Sequence, residues 1–199
     1  MLPSLVMGTL PSHSSMHNLT WAAQFAEQVR AGIPYPRWMA QSFEGLGAPS
    51  FYFYPPLPFW LDALVSLVTF DALPTTYRLS LSSGLLLWIS GLGFFAWLRL
   101  QKAEVPRALI GAIAYMAAPY HLLDHYIRGA FAEFAAYTTM PFVFCALALI
   151  ARRHRLGGAA LALAYAALVT SHLPTALLIS LTAVPAYVLF VAWRGRATD

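Results

Sequence analysis

The ionisable residues of this chain are few enough to be taken one at a time: 12 Lys and Arg, 8 Asp and Glu and 6 His in 199 residues. The densest group is Asp124-His125-Tyr126-Ile127-Arg128 followed by Glu133. Charged residues at the edge of an apolar run usually face protein or a water-filled cavity, which makes all three functional candidates. Asp124 and Arg128 are also spaced i,i+4, so a purely structural salt bridge is the competing reading. A second group is Ser171-His172-Leu173-Pro174-Thr175. His13 and His17, four apart, would share one face of a helix, and together with Asp124, His125 and His172 they could hold a divalent metal ion. The alternative for these histidines is solvation of a polar loop.

The elements that must position these residues are set by composition. Hydrophobic residues make up 59% of the chain and charged residues 10%, against about 25% charge in a soluble domain. That excludes an ordinary soluble domain, and 15% aromatics exclude a disordered one. An all-α, polytopic transmembrane bundle remains. Cys145 is the only cysteine, so no intrachain disulfide can form. Crossing a bilayer takes about 20 apolar helical residues. Spans are expected at 79–98, 108–123, 134–151, 156–171 and 174–193, the last two forming a hairpin broken at His172 and Pro174.

Orientation follows from the basic residues, which collect in three short turns: Arg99, Lys102 and Arg107; Arg152, Arg153 and Arg155; Arg194 and Arg196. Such turns stay in the cytoplasm. Residues 1–78, the loop from Asp124 to Glu133 and the His172 turn are then all external, with six of the eight acidic residues. This clustering gives no support for a nucleic-acid partner; the expected surroundings are membrane lipid, in a multi-pass protein of the bacterial inner membrane.

Residues 1–78 are expected to form an external region. Met1–Leu10 is apolar but too short to span, which suggests a missing first transmembrane helix. A helix is predicted over 18–31, with Leu19, Ala22, Phe25, Ala26 and Val29 on one side and Gln24, Glu27, Gln28 and Arg30 on the other, lying on the membrane surface. Next come Tyr35-Pro36-Arg37-Trp38, a glycine turn at 45–49, and Phe51-Tyr52-Phe53-Tyr54-Pro55-Pro56-Leu57-Pro58-Phe59-Trp60, six aromatics in ten residues. A short helix over 59–70 is expected to be re-entrant or interfacial, with Asp62 facing an external cavity.

The block from Tyr35 to Leu57, the Asp124–Arg128 stretch with Glu133, and Ser171–Thr175 together resemble bacterial polytopic membrane proteins related to the GT-C glycosyltransferases, a group labelled 6-pyruvoyl-tetrahydropterin synthase-related. The resemblance implies an N-terminal fragment of a longer enzyme that moves a sugar from a polyprenyl-phosphate donor on the external face. Asp124, Glu133 and His172 are then the catalytic candidates, Asp124 as base or metal-linked carboxylate. Arg128 and Arg37 would meet the donor phosphate, as could Arg78, and Tyr52, Tyr54, Pro55 and Pro56 would frame the prenyl chain or anchor the loop. Neither a Walker loop nor a Rossmann fingerprint occurs, so a nucleotide has no support. Relatives carry Gly-His-Asp near the start of the first external helix, where this chain has Ser12-His13-Ser14. Loss of that carboxylate raises the alternative of a non-catalytic protein that binds or translocates a lipid-linked glycan.

Overall fold

The structure, a computed structural model, describes residues 2–9 and 11–196. It is 74% helical and, among the described residues, has no strand, which makes it an all-α protein. Its helices are α1 Leu2–Met7, α2 Ser15–Arg30, α3 Ser50–Phe53, α4 Leu57–Val68, α5 Thr75–Leu100, α6 Val105–Met116, α7 Pro119–Leu123, α8 Phe131–Ala151, α9 Gly157–Ser171, α10 Leu173–Leu181 and α11 Ala183–Arg196, with a π-helical turn at Asp124–Arg128 between α7 and α8. Arg194 and Arg196 of the third basic turn have side chains outside the described set.

Three helical stretches are long and apolar enough to cross a membrane: Thr75–Leu100, Phe131–Ala151 and Leu173–Trp193. The other two expected spans are different. Ala118 is extended (ψ 135°) because Pro119 follows it, so the 108–123 run divides into α6 and α7. At 15 residues, α9 is about 22 Å long, short of a bilayer core. Pro174 starts α10 after an extended His172, as its sequence suggests. A further break falls at Thr182 (φ −122°, ψ −77°), three residues before Pro185, where the proline ring would meet the preceding turn.

α8 is the centre of the bundle and packs on α5 and α9, while α5 also carries α6. Small residues allow the close approach: a Cβ at Gly93 would lie 2.8 Å from the Phe142 ring. Thr138 Oγ1 donates to Leu86 O at 3.1 Å, tying α8 to α5.

The N-terminal helices do not lie free on a surface. Ala22, Phe25 and Ala26 of α2 are buried against α4, so the stripe expected to meet lipid is taken up by protein. Gln24, expected on the wet side, is buried and accepts from Gln41 N at 2.8 Å. α2 also begins three residues earlier than expected, at Ser15. Phe25, Phe51 and Phe59 form an aromatic core, with Phe51 4.8 Å from Phe25 and 4.9 Å from Phe59, both edge-on. Part of the aromatic run is therefore core, whereas Tyr52 and Phe53 stay exposed.

Asp62 and Arg78 lock this region. Arg78, 3% exposed, donates from Nε to Asp62 Oδ2 at 2.8 Å, from Nη1 to Asp71 Oδ1 at 3.2 Å and from Nη2 to Ala22 O at 3.2 Å. One guanidinium thus joins α5 to α4, α2 and the 69–74 turn. Asp62 faces this partner and not a cavity, and Arg78 is not free for a phosphate. Breaking such a pair from one side leaves a buried charge and costs about 3–5 kcal/mol, whereas replacing both members with apolar residues is often nearly neutral. Arg78→Leu alone is expected to be strongly destabilised in detergent unfolding of the full chain, and Asp62→Leu/Arg78→Leu to regain most of the loss. Equal unfolding midpoints for the two variants would contradict this reading.

Candidate functional site

The site grows from the broken crossing. Gly129, at φ 61° and ψ 33°, ends the π-helical turn, and its N–H returns to Asp124 O. Its position needs glycine twice over, for the left-handed backbone and because a Cβ would lie 2.2 Å from Ser12 Oγ. π-Turns of this kind are frequent at functional sites. The N-terminal segment closes over the same turn: His13 N donates to Ile127 O and Ser14 N to Arg128 O, both at 3.1 Å, and Asn18 Nδ2 donates to Gly129 O at 2.5 Å.

On this frame Arg128 sits between two carboxylates. It donates from Nη1 to Asp124 Oδ1 at 2.6 Å and from Nη2 to Glu133 Oε2 at 2.7 Å. Tyr120 completes the ring, receiving Arg128 Nη1 at 2.7 Å and donating to Glu133 Oε1 at 3.0 Å. Asp124 is fully buried, while the Arg128 side chain is 38% exposed. One carboxylate oxygen, Asp124 Oδ2, and Ser12 Oγ have no hydrogen-bond partner among the described residues. Both residues line a cavity of about 30 Å³, together with Asn18, Ser83 and His125, a space about right for one water molecule.

Electrostatics distinguish these groups. Burial pushes the Asp124 pKa up to about 6; the Glu133 charge adds to the rise, and Arg128 opposes it by charge and hydrogen bond. Arg128 is held still more firmly protonated, first by its bond to Glu133. Burial pulls His125 down to about 4, and burial also lowers His172. His172 Nδ1 pairs with Thr175 Oγ1 at 2.8 Å, and the charges of Glu133 and Arg128 both reach its ring. Tyr54 is raised by burial first and by Glu133 second, which brings the aromatic loop within reach of the cluster.

The structure therefore joins Asp124, Arg128, Glu133 and Tyr120 by direct contacts, and leaves His172 and Tyr54 near enough to feel the Glu133 charge. It does not gather the three histidines. α2 starts at Ser15, so His13 lies in the turn before it and shares no helix face with His17; both are exposed. His125 Nε2 instead pairs with Ser4 Oγ at 3.0 Å. Among the described residues no three His, Cys, Asp or Glu side chains converge on a metal position. Arg128 is committed to carboxylates, which leaves it poorly placed as a primary phosphate ligand. Arg37 is exposed and lies over Tyr35 and Tyr52, 4.8 and 5.6 Å from their ring centres. Pro55 and Pro56 form the joint between α3 and α4, Pro56 being the N-cap residue of α4.

Residues 51–198 match a family described as 6-pyruvoyl-tetrahydropterin synthase related domain, membrane protein. The chain belongs to this family. With its three long apolar helices, it is an integral membrane protein. No curated protein and no solved structure matches it. Within this 6-pyruvoyl-tetrahydropterin synthase-related protein, the matched stretch holds Asp124, Arg128, Glu133 and His172, whereas Ser12, Asn18 and Arg37 precede it.

Sequence reasoning missed Tyr120, Ser12, Asn18 and Gly129. Tyr120 was open to discovery, because 120, 124 and 128 repeat at four-residue spacing. Asn18 was not, since its partner is 111 residues away.

A raised carboxylate pKa means that the folded state binds the proton more tightly than the unfolded chain, so the Asp124 contribution to stability is present below about pH 4 and is lost as pH rises through about 6. His125, lowered to about 4, acts oppositely across part of that window. The difference between wild type and Asp124→Asn isolates the carboxylate. Measured by thermal unfolding in nanodiscs, the relative stability of Asp124→Asn should increase from pH 4 to pH 7; a constant difference would show that Asp124 titrates normally.

Proposed function

We propose that this chain is the N-terminal part of a GT-C-like glycosyltransferase in a bacterial inner membrane, using a polyprenyl-phosphate-linked sugar at the external face. The observation that carries the reading is Asp124: a buried carboxylate held through one oxygen by Arg128, with the other oxygen unbonded among the described residues, beside a small cavity that Ser12, Asn18 and His125 help to line. Its pKa near 6 makes it a stronger base than an ordinary carboxylate while it remains ionised at neutral pH. In this reading Asp124 accepts the acceptor's hydroxyl proton through one water molecule in that cavity as the acceptor oxygen bonds to the sugar, and the phosphate leaves with the bonding electron pair. Arg128 fixes Asp124 and Glu133, His172 lies at the rim, and Arg37, unpaired with any carboxylate among the described residues and stacked on two tyrosines, meets the phosphate. A lipid-linked donor accounts for the lack of nucleotide motifs, and membrane lipid is the surrounding partner. No metal step is needed in this reading.

Removing a general base costs about 10²- to 10⁴-fold in rate. Asp124→Asn in the full-length protein should lower sugar transfer from a prenyl-phosphate donor by that range, and Arg128→Ala should reduce it as well by releasing both carboxylates. Unchanged rates in both variants would refute the assignment.

One observation favours the second reading, a non-catalytic binder or translocator of a lipid-linked glycan. Position 14, where the GT-C resemblance implies an Asp, is bonded through its N–H to Arg128 O and so belongs to the same site, yet here it is Ser. Ser14→Asp separates the two. A gain in transfer points to an enzyme with a weakened site, whereas glycolipid binding without transfer, before and after the substitution, points to the binder.

A further inference from the structure

A second cavity lies on the other side of the aromatic core. It is an open cleft of about 460 Å³ between the first half of α2 and the 41–50 segment, lined by His17, Thr20, Trp21, Gln41, Phe43 and Ser50 among others. Its volume is within the range of small-molecule sites, about 300–1,000 Å³. Its walls join two aromatic rings to imidazole, amide and hydroxyl groups, the pairing that suits a ligand with apolar ring faces and a polar edge.

We propose that this cleft binds one saccharide unit of the glycan handled by the protein. The inference rests on the glycosyl-transfer reading for its ligand class and adds a site to it. Trp21 is the shared wall: its ring is 6.0 Å from His17 at the cleft and 4.9 Å from Tyr54 on the other side, both edge-on. Tyr54 in turn feels the charge of Glu133. Trp21 and Tyr54 are thus the wall between the cleft and the charged cluster, so a sugar held in the cleft would sit beside that cluster, separated from it by two aromatic side chains. No aromatic partner of Trp21 among the described residues stacks parallel on the indole; Phe51 and Phe59 also meet it at 66° and 62°. The indole is half-buried and lines the cleft, where a pyranose ring can pack on it. His17 is exposed and has no hydrogen bond among the described residues, and the Ser50 hydroxyl supplies a second polar group at the wall.

The test uses the full chain in nanodiscs, free of sugar-based detergent, with methyl glycosides of glucose, galactose, mannose, arabinose and N-acetylglucosamine as probes. Saturation-transfer NMR reads binding without turnover. At least one glycoside should give ring-proton signals, His17→Ala should weaken its binding about fivefold, the loss of one hydrogen bond, and Thr20→Trp should abolish it by filling the cleft. Residues 17 and 20 are exposed, so both variants should fold as wild type does. Absence of signal from all five probes, or signal that survives Thr20→Trp, would overturn the proposal. Asp124→Asn separates the two claims: binding retained with transfer lost supports both, and binding in a wild-type protein that transfers nothing leaves the cleft standing while the transfer reading falls.

Discussion

The Arg78 guanidinium is the constraint from which the N-terminal part of the molecule is built. A buried arginine must have its donors satisfied, and here they are satisfied by three separate segments: Asp62 on α4, Asp71 after it and the Ala22 carbonyl on α2. Asp71 is also held by Arg30 at 2.7 Å, so the end of α2 is tied to the same point. With α2, α4 and α5 joined, Phe25, Phe51 and Phe59 pack edge-on between them. Phe59 then meets Phe131 at 5.5 Å, two residues before Glu133. The placement of the charged cluster is thus inherited from an ion pair on another helix.

The two arginine–carboxylate groups show why chemistry cannot be assigned from residue type alone. Arg78 and Arg128 both bridge two acidic residues. Around Asp62 the account closes, since Oδ2 receives Arg78 and Oδ1 receives Ser82 Oγ at 3.4 Å. Around Asp124 it does not: Oδ2 is buried and unbonded among the described residues, beside a cavity large enough for one water molecule. A closed account is what stability selects, and an orphan oxygen is what a reactive group needs. In sequence, however, Asp62 with Arg78 read as a cavity and a phosphate site, while Asp124 with Arg128 read equally well as a plain salt bridge.

What was legible followed from local pattern. Composition and apolar run length gave the helical membrane class, i,i+4 spacing gave the Asp124–Arg128 pair, and Pro174 gave the break before α10. What was not legible depended on distant partners or on small backbone choices. The apolar stripe of α2 reads the same whether lipid or α4 covers it. Pro119 and Pro185 lie inside apolar runs, where hydropathy hides a break that one fixed φ imposes. Helix α2 and the turn that ends the π-helical segment meet through Asn18 and Gly129, a contact that no period in the sequence encodes.

The break at Pro119 has a consequence for the site as a whole. A continuous helix from 105 to 128 would carry Tyr120, Asp124 and Arg128 as one stripe at four-residue spacing, with Asp124 about 28 Å along it and so still inside a bilayer core of about 30 Å, where a carboxylate is costly. The extended Ala118 ends α6 first, α7 and the π-turn restart the chain in a new direction, and Gly129 turns it into α8. The stripe is thereby lifted to the end of the bundle, where Ser12, Ser14 and Asn18 can reach it. Helix breaking here is the means by which polar groups are kept together at the edge of an apolar protein, and the same glycine that permits the turn admits the N-terminal segment against it.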